Sequence, residues 1–136
     1  MNVLVALAWP NHIHHGPARS WFAGVRERGW ATCPLTESGF VRVSSNSRVI
    51  PEATTPADAF EMLARIRSLP GHHFWTDDVS PTENEPFRAV VGYRQVTDAH
   101  LLALAIRRDG RLATFDRGLR DLGGAELGER VELIGA

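Results

Sequence analysis

Three carboxylates, Glu37, Asp98 and Asp116, are far apart in the chain, yet each stands where a regular element begins or ends. Asp98 opens an apolar helical run (VTDAHLLALAIRR), Asp116 closes a strand-like run (RLATFD), and Glu37 follows another (WATCPLTE). Oxygen ligands gathered at element ends are how an α/β domain builds a site for a hard cation. Several acids and no paired cysteine favour Mg²⁺ or Mn²⁺ over structural zinc. Taken singly, each acid reads more simply as a helix cap or turn residue, since Thr36 and Thr97 precede two of them and Gly118 follows the third. Only joint placement on one edge of a sheet makes a site of the three.

The elements that must achieve this placement alternate along the chain. Residues 2–8 (NVLVALA) are an apolar run too short to assign by periodicity, ended by Trp9-Pro10. Helix signals return at Pro17, carry Trp21, Phe22 and Val25, and stop at Gly29. A buried strand is expected over Trp30–Leu35 and a helix over Thr36–Ser44, with Phe40 and Val41 inward. Thr55-Pro56-Ala57-Asp58 is a capping arrangement that starts a helix with Phe60, Leu63, Ile66 and Leu69 on one stripe. That helix stops at Pro70-Gly71, and a strand follows at His73–Val79. A polar loop then leads to a short helix near Phe87–Tyr93, and Thr97 caps the helix carrying Asp98. Strands Leu112–Phe115 and Val131–Ile134 flank the glycine-rich stretch at Gly123-Gly124. Helices alternating with short apolar strands predict an α/β domain with a mainly parallel sheet.

Composition narrows the classes. A chain of 136 residues fits one domain and buries roughly two-thirds of its unfolded surface. No apolar run approaches the ~20 residues of a membrane span, and the opening lacks a basic leader, so no targeting segment is read. The single Cys33 excludes an internal disulfide and fits a reducing cytoplasm. Net charge is −1, which does not advertise nucleic-acid binding. All fifteen basic residues are arginine. GC-rich coding accounts for this, as does a use for guanidinium forks on phosphate, and the two readings are compatible.

WATCPLTESGFVRVSSN, QVTDAHLLALA and RLATFDRGL, in this order and spacing, resemble the PIN-domain ribonuclease toxins of the VapC type, from bacterial toxin–antitoxin modules. The opening NVLVALAWPNHIHH resembles the family's first segment, so the likeness spans nearly the whole chain. The resemblance implies a single three-layer α/β/α PIN-like domain over residues 1–136. It implies that Glu37, Asp98 and Asp116 are three of four acidic site residues, with Thr97 and Thr114 beside them. Asn2 would be the Asn of the family's Asp-x-Asn motif.

The departure lies at that motif. Its Asp would fall immediately before Met1, and no other acid occurs before Glu27. The expectation is a start codon placed too late, a shortened N-terminal strand, and a chain that folds but cleaves poorly. The resemblance further implies metal-dependent hydrolysis of tRNA or ribosomal RNA to 5′-phosphate and 3′-hydroxyl ends, a homodimer, and a VapB-type antitoxin as partner. Arg42, Arg94 and Arg117 lie near the acidic motifs and are candidates for phosphate contacts, with solvated surface arginine as the alternative. The competing function is a catalytically impaired PIN domain that chiefly engages its antitoxin.

Other motifs carry less. His12, His14 and His15 have the wrong spacing for two zinc ligands on one helix face. His72-His73 reads as a loop pair, and His100 lies on a different helix face from Asp98. The tryptophans are expected as core or partner anchors rather than base-stacking platforms. No glycine-rich phosphate loop of the Walker or dinucleotide type is present.

Overall fold

The computed structural model describes residues 2–122 and 128–135. The stretch at Gly123-Gly124 lies outside them. The chain divides into two compact units, Met1–Thr76 and Asp77–Ala136. Each is α/β, and each holds one pair of parallel strands.

In the first unit the order is α1 (Asn2–Ala8), α2 (His15–Val25), β1 (Trp30–Thr32), α3 (Pro34–Ser44), α4 (Pro56–Arg67) and β2 (His72–Phe74). The expected N-terminal strand is therefore corrected: residues 2–8 are helix. Leucine and alanine are strong helix formers, and the Trp9 amide donates back to the Val5 carbonyl at 3.0 Å before Pro10 ends the run. The strand expected to reach Leu35 stops at Thr32, because Cys33 becomes the N-cap and Pro34 the first residue of α3. Thr36 Oγ1 accepts from the Cys33 amide at 3.0 Å, closing a capping box. Thr55 caps α4 as expected, accepting from the Asp58 amide at 3.2 Å.

Phe40 and Ala59, both fully buried, anchor the apolar cluster of this unit with Leu4, Val5, Val41, Ile50 and Leu63. Of the stripe expected on α4, Leu63 and Ile66 face the cluster together with Ala59, whereas Phe60 and Leu69 are exposed. Two of the tryptophans serve as anchors: Trp9 Nε1 donates to Ser44 Oγ at 3.0 Å, and Trp30 Nε1 to the Pro70 carbonyl at 2.9 Å. Gly71 makes that second approach possible. Its φ is +87°, and a Cβ there would stand 1.9 Å from the Arg26 carbonyl oxygen.

In the second unit, two 3₁₀ turns (Glu85–Ala89 and Tyr93–Gln95) lead into α5 (Val96–Arg107), then β3 (Leu112–Thr114), a 3₁₀ turn at Arg117–Asp121, and β4 (Val131–Leu133). Thr97 is not the cap of α5 but lies inside its first turn. The turn Tyr93–Gln95 runs straight into the helix, and the Gln95 side chain accepts from the amides of Val91 and Gly92 at 2.7 and 3.1 Å. Helix α5 buries Ala99 and every residue from Leu101 to Ala105, as a segment apolar on most sides should. Ala99 and Leu102 pack with Leu119, Leu122 and Val131. Asp109 takes φ 55°, the left-handed turn that ends α5 before Gly110. Among the described residues, no helix is long and apolar enough to cross a membrane.

Candidate functional site

All three acids stand just beyond a strand end or at a helix start. In parallel α/β sheets ligands bind beyond the carboxyl ends of the strands. Glu37 follows β1 and sits in the first turn of α3, Asp98 in the first turn of α5, and Asp116 two residues past β3. A helix start holds a carboxylate in a favourable field through its unsatisfied N–H groups.

In the first unit Glu37 is held directly from two elements and, through Thr32, from a third. Thr32 and His72 are diagonal neighbours across the parallel pair, where Trp30 is opposite His72 and Thr32 opposite Phe74. The period of two puts these four side chains on one face. Thr32, almost completely buried, donates its hydroxyl proton to Glu37 Oε2 at 2.6 Å. His72 Nε2 lies 2.7 Å from the same hydroxyl oxygen. Arg67, in the last turn of α4, places Nε 3.5 Å from Glu37 Oε2, with its guanidinium 5.0 Å from the ring centre of Phe74. The Glu37 side chain is 12% exposed. Burial is the main cause that lowers the pKa of His72; Arg67 and His73 push the same way, and Glu37 opposes them.

In the second unit the acids are arranged differently. Burial pushes the Asp98 carboxyl up, and the nearby charge of Asp116 raises it further. A carboxylate whose ionisation is opposed by burial and by a neighbouring carboxylate is a place where a cation lowers the energy. Asp116 caps the turn that follows it, with Oδ1 accepting from the Gly118 amide at 2.9 Å. Thr114, buried at the end of β3, accepts from the Asp116 amide at 3.1 Å and fixes the start of that turn. The charge of Asp116 thus acts on Asp98, and Thr114 supports Asp116. Thr97 is exposed on the first turn of α5. Asn2 opens α1.

Among the described residues, no three His, Cys, Asp or Glu side chains gather closely enough to hold a metal ion. The donor chemistry of the second unit nonetheless fits a hard cation, because Mg²⁺ keeps several waters and is commonly bound by one or two carboxylates plus substrate phosphates.

Arg42, Arg94 and Arg117 are all exposed. Arg94 Nε donates to the Tyr93 hydroxyl at 3.2 Å. Thr32, Arg67 and His72 were missed as site residues, and His72-His73, expected in a loop, form part of β2. The usable signal was the apolar strand before Glu37, whose Thr32 had to point to one face or the other. His100 hydrogen-bonds Asp77 at 2.7 Å and packs edge-on to Phe87.

A PIN domain model matches residues 1–125 and so spans both units. The chain is 53% identical over 134 residues to Ribonuclease VapC38 of Mycobacterium tuberculosis, covering 98% of this chain and 94% of that protein. It is 51% identical to Ribonuclease VapC39 (95% and 94% covered) and 43% identical to Ribonuclease VapC44 (88% and 84%), both of the same species. The chain belongs to the PIN-domain family, in its VapC-type branch.

Proposed function

We propose that the chain is the ribonuclease toxin of a toxin–antitoxin module, folded as a single PIN domain and cutting RNA phosphodiester bonds with a divalent cation. The observation that carries this reading is the placement of Asp98 in the first turn of α5 and Asp116 just past β3, in one unit, in a chain whose relatives are named ribonucleases. Asp98 and Asp116 would hold Mg²⁺ or Mn²⁺, with Glu37 as the third acid. When bound, such an ion activates water for attack on phosphorus and offsets charge on the phosphoryl oxygens.

The chain's own residues do the rest. Thr114 and Gly118 hold Asp116 at the strand end by hydrogen bonds at 3.1 and 2.9 Å. The first turn of α5 presents Asp98 among N–H groups that favour its ionised form, against the burial that disfavours it. Arg42, Arg94 and Arg117 are solvent-facing and suit phosphate contacts that orient RNA without reading its bases. Hydrolysis by activated water leaves 5′-phosphate and 3′-hydroxyl ends. The target class is tRNA or ribosomal RNA, the working form a homodimer in the cytoplasm, and the regulator a VapB-type antitoxin.

The test incubates the chain, and a form extended upstream by an Asp placed directly before Met1, with total RNA and Mg²⁺ or Mn²⁺. EDTA and Asp98→Ala serve as controls, and product ends are mapped. Cation-dependent cleavage with 5′-phosphate ends, lost in Asp98→Ala, is the expected result. Products ending in 2′,3′-cyclic phosphate would reject the mechanism. If neither form cuts while both bind the antitoxin, the chain is an antitoxin-binding module instead.

A further inference from the structure

We propose that Thr32 and His72 are positioning residues that pin one oxygen of Glu37 and leave the other as its ligating atom, an inference that rests on the ribonuclease reading above. Thr32 has one hydroxyl proton and two lone pairs. At 2.6 Å from a carboxylate oxygen, that proton must lie toward Glu37 Oε2, since two acceptors without a proton between them repel. The contact of 2.7 Å with His72 Nε2 then leaves the hydroxyl oxygen as acceptor and the imidazole as donor. The chain of protons therefore runs from His72 Nε2–H to Thr32 Oγ1–H to Glu37 Oε2.

The imidazole is itself held. Its ring centre is 4.9 Å from that of Trp30, which is fastened by its bond to the Pro70 carbonyl and by the edge of Phe22 at 5.2 Å. Among the described residues, the hydrogen bond and ion pair to Glu37 both fall on Oε2. One oxygen is thus anchored from β1, with support from β2 and α4, and Oε1 remains for a ligand. Partners of this kind orient ligating carboxylates, and their loss typically costs about 10–100-fold in metal affinity or activity.

The test uses the full chain with Mn²⁺ as probe. Thr32→Val keeps the shape and removes the donor; Thr32→Ser keeps the donor; His72→Phe keeps the ring against Trp30 without its N–H. Thr32→Val is expected to weaken Mn²⁺ binding, read by calorimetry, about 10–100-fold, and Thr32→Ser to restore it. RNA cleavage by Thr32→Val should recover as Mn²⁺ is raised, which a folding defect would not allow. His72→Phe should act in the same direction with a smaller effect.

A metal-free arm reads the pinning directly. NMR of ¹⁵N-His and ¹³C-Glu chain should show His72 protonated on Nε2 and Glu37 in one rotamer, with several Glu37 rotamers in Thr32→Val. A single Glu37 rotamer in a folded Thr32→Val, or unchanged Mn²⁺ affinity, overturns the proposal. If the parent chain neither binds Mn²⁺ nor cuts RNA, the ribonuclease reading fails, while the rotamer comparison still decides whether Thr32 holds Glu37.

Discussion

Glu37 and Asp98 both lie in the first turn of a helix, yet their surroundings are opposite. Glu37 already has a cation, Arg67 at 3.5 Å, and a buried hydroxyl proton at 2.6 Å. Asp98 instead faces burial and a second carboxylate, both of which oppose its ionisation. Among the described residues, neither Asp98 nor Asp116 is ion-paired. One acid is thus ion-paired through one of its oxygens, whereas the other has burial and a like charge against it. A carboxylate held against burial and a like charge costs stability and favours capture of a cation.

The largest effect should follow from breaking the pair. Asp98→Ala or Asp116→Ala should lower kcat/KM for RNA about 1,000-fold, on the order of 4 kcal/mol of transition-state stabilisation. Cleavage assays at saturating Mn²⁺ measure it, and residual activity above a tenth of the parent would show that the pair does not hold the reacting ion. Next in size is Gly71→Ala, which should cost about 3 kcal/mol of stability or more. Its Cβ would stand 1.9 Å from the Arg26 carbonyl oxygen, and its φ is +87°. Urea melts give the loss, and an unchanged midpoint would mean the turn before β2 is less constrained than its geometry shows. Smaller again is Arg67→Met. The Arg67 side chain is 44% exposed, so its loss should destabilise by about 1 kcal/mol at most. A larger loss on thermal melting would make Arg67, rather than Thr32, the main tether of Glu37.

The same contrast explains what could be read from the chain alone. Thr55 and Asp58 were legible because a cap is made by residues three apart. Glu37, Asp98 and Asp116 were legible as element-end acids because strand and helix patterns flank them. Thr32 and His72 were not, because their meeting depends on the register of two three-residue strands 40 positions apart. No local pattern encodes that register. Strand ends beyond Thr32 and Phe74 were overextended for a related reason: apolar residues continue past the point where Pro34 starts a helix and the β2 ladder ends. The seven-residue run Asn2–Ala8 was ambiguous by length, since so short an apolar run fits helix or strand. The cap assigned to Thr97 failed because a 3₁₀ turn fused to α5 had already begun the helix.

The subtlest way to sharpen the comparison is Asp98→Asn, which keeps the shape and removes the charge. The folded state holds the Asp98 carboxyl above its ordinary value of 3.8, so it binds that proton more tightly than the unfolded chain does. Stability from this residue therefore falls as pH rises through the folded pKa, and the full penalty is present at neutral pH. Below about 3.8 both states are protonated and the penalty is absent. Asp98→Asn should then melt higher than the parent at pH 7 without metal. The gain should vanish as pH falls below the ordinary carboxylate range. Added Mg²⁺ should reverse the order, because an ion bound only by the folded parent stabilises it by mass action. Glu37→Gln should show no such gain, since it removes a charge that Arg67 already offsets. Equal behaviour of the two variants would erase the distinction between the tethered acid and Asp98 beside Asp116.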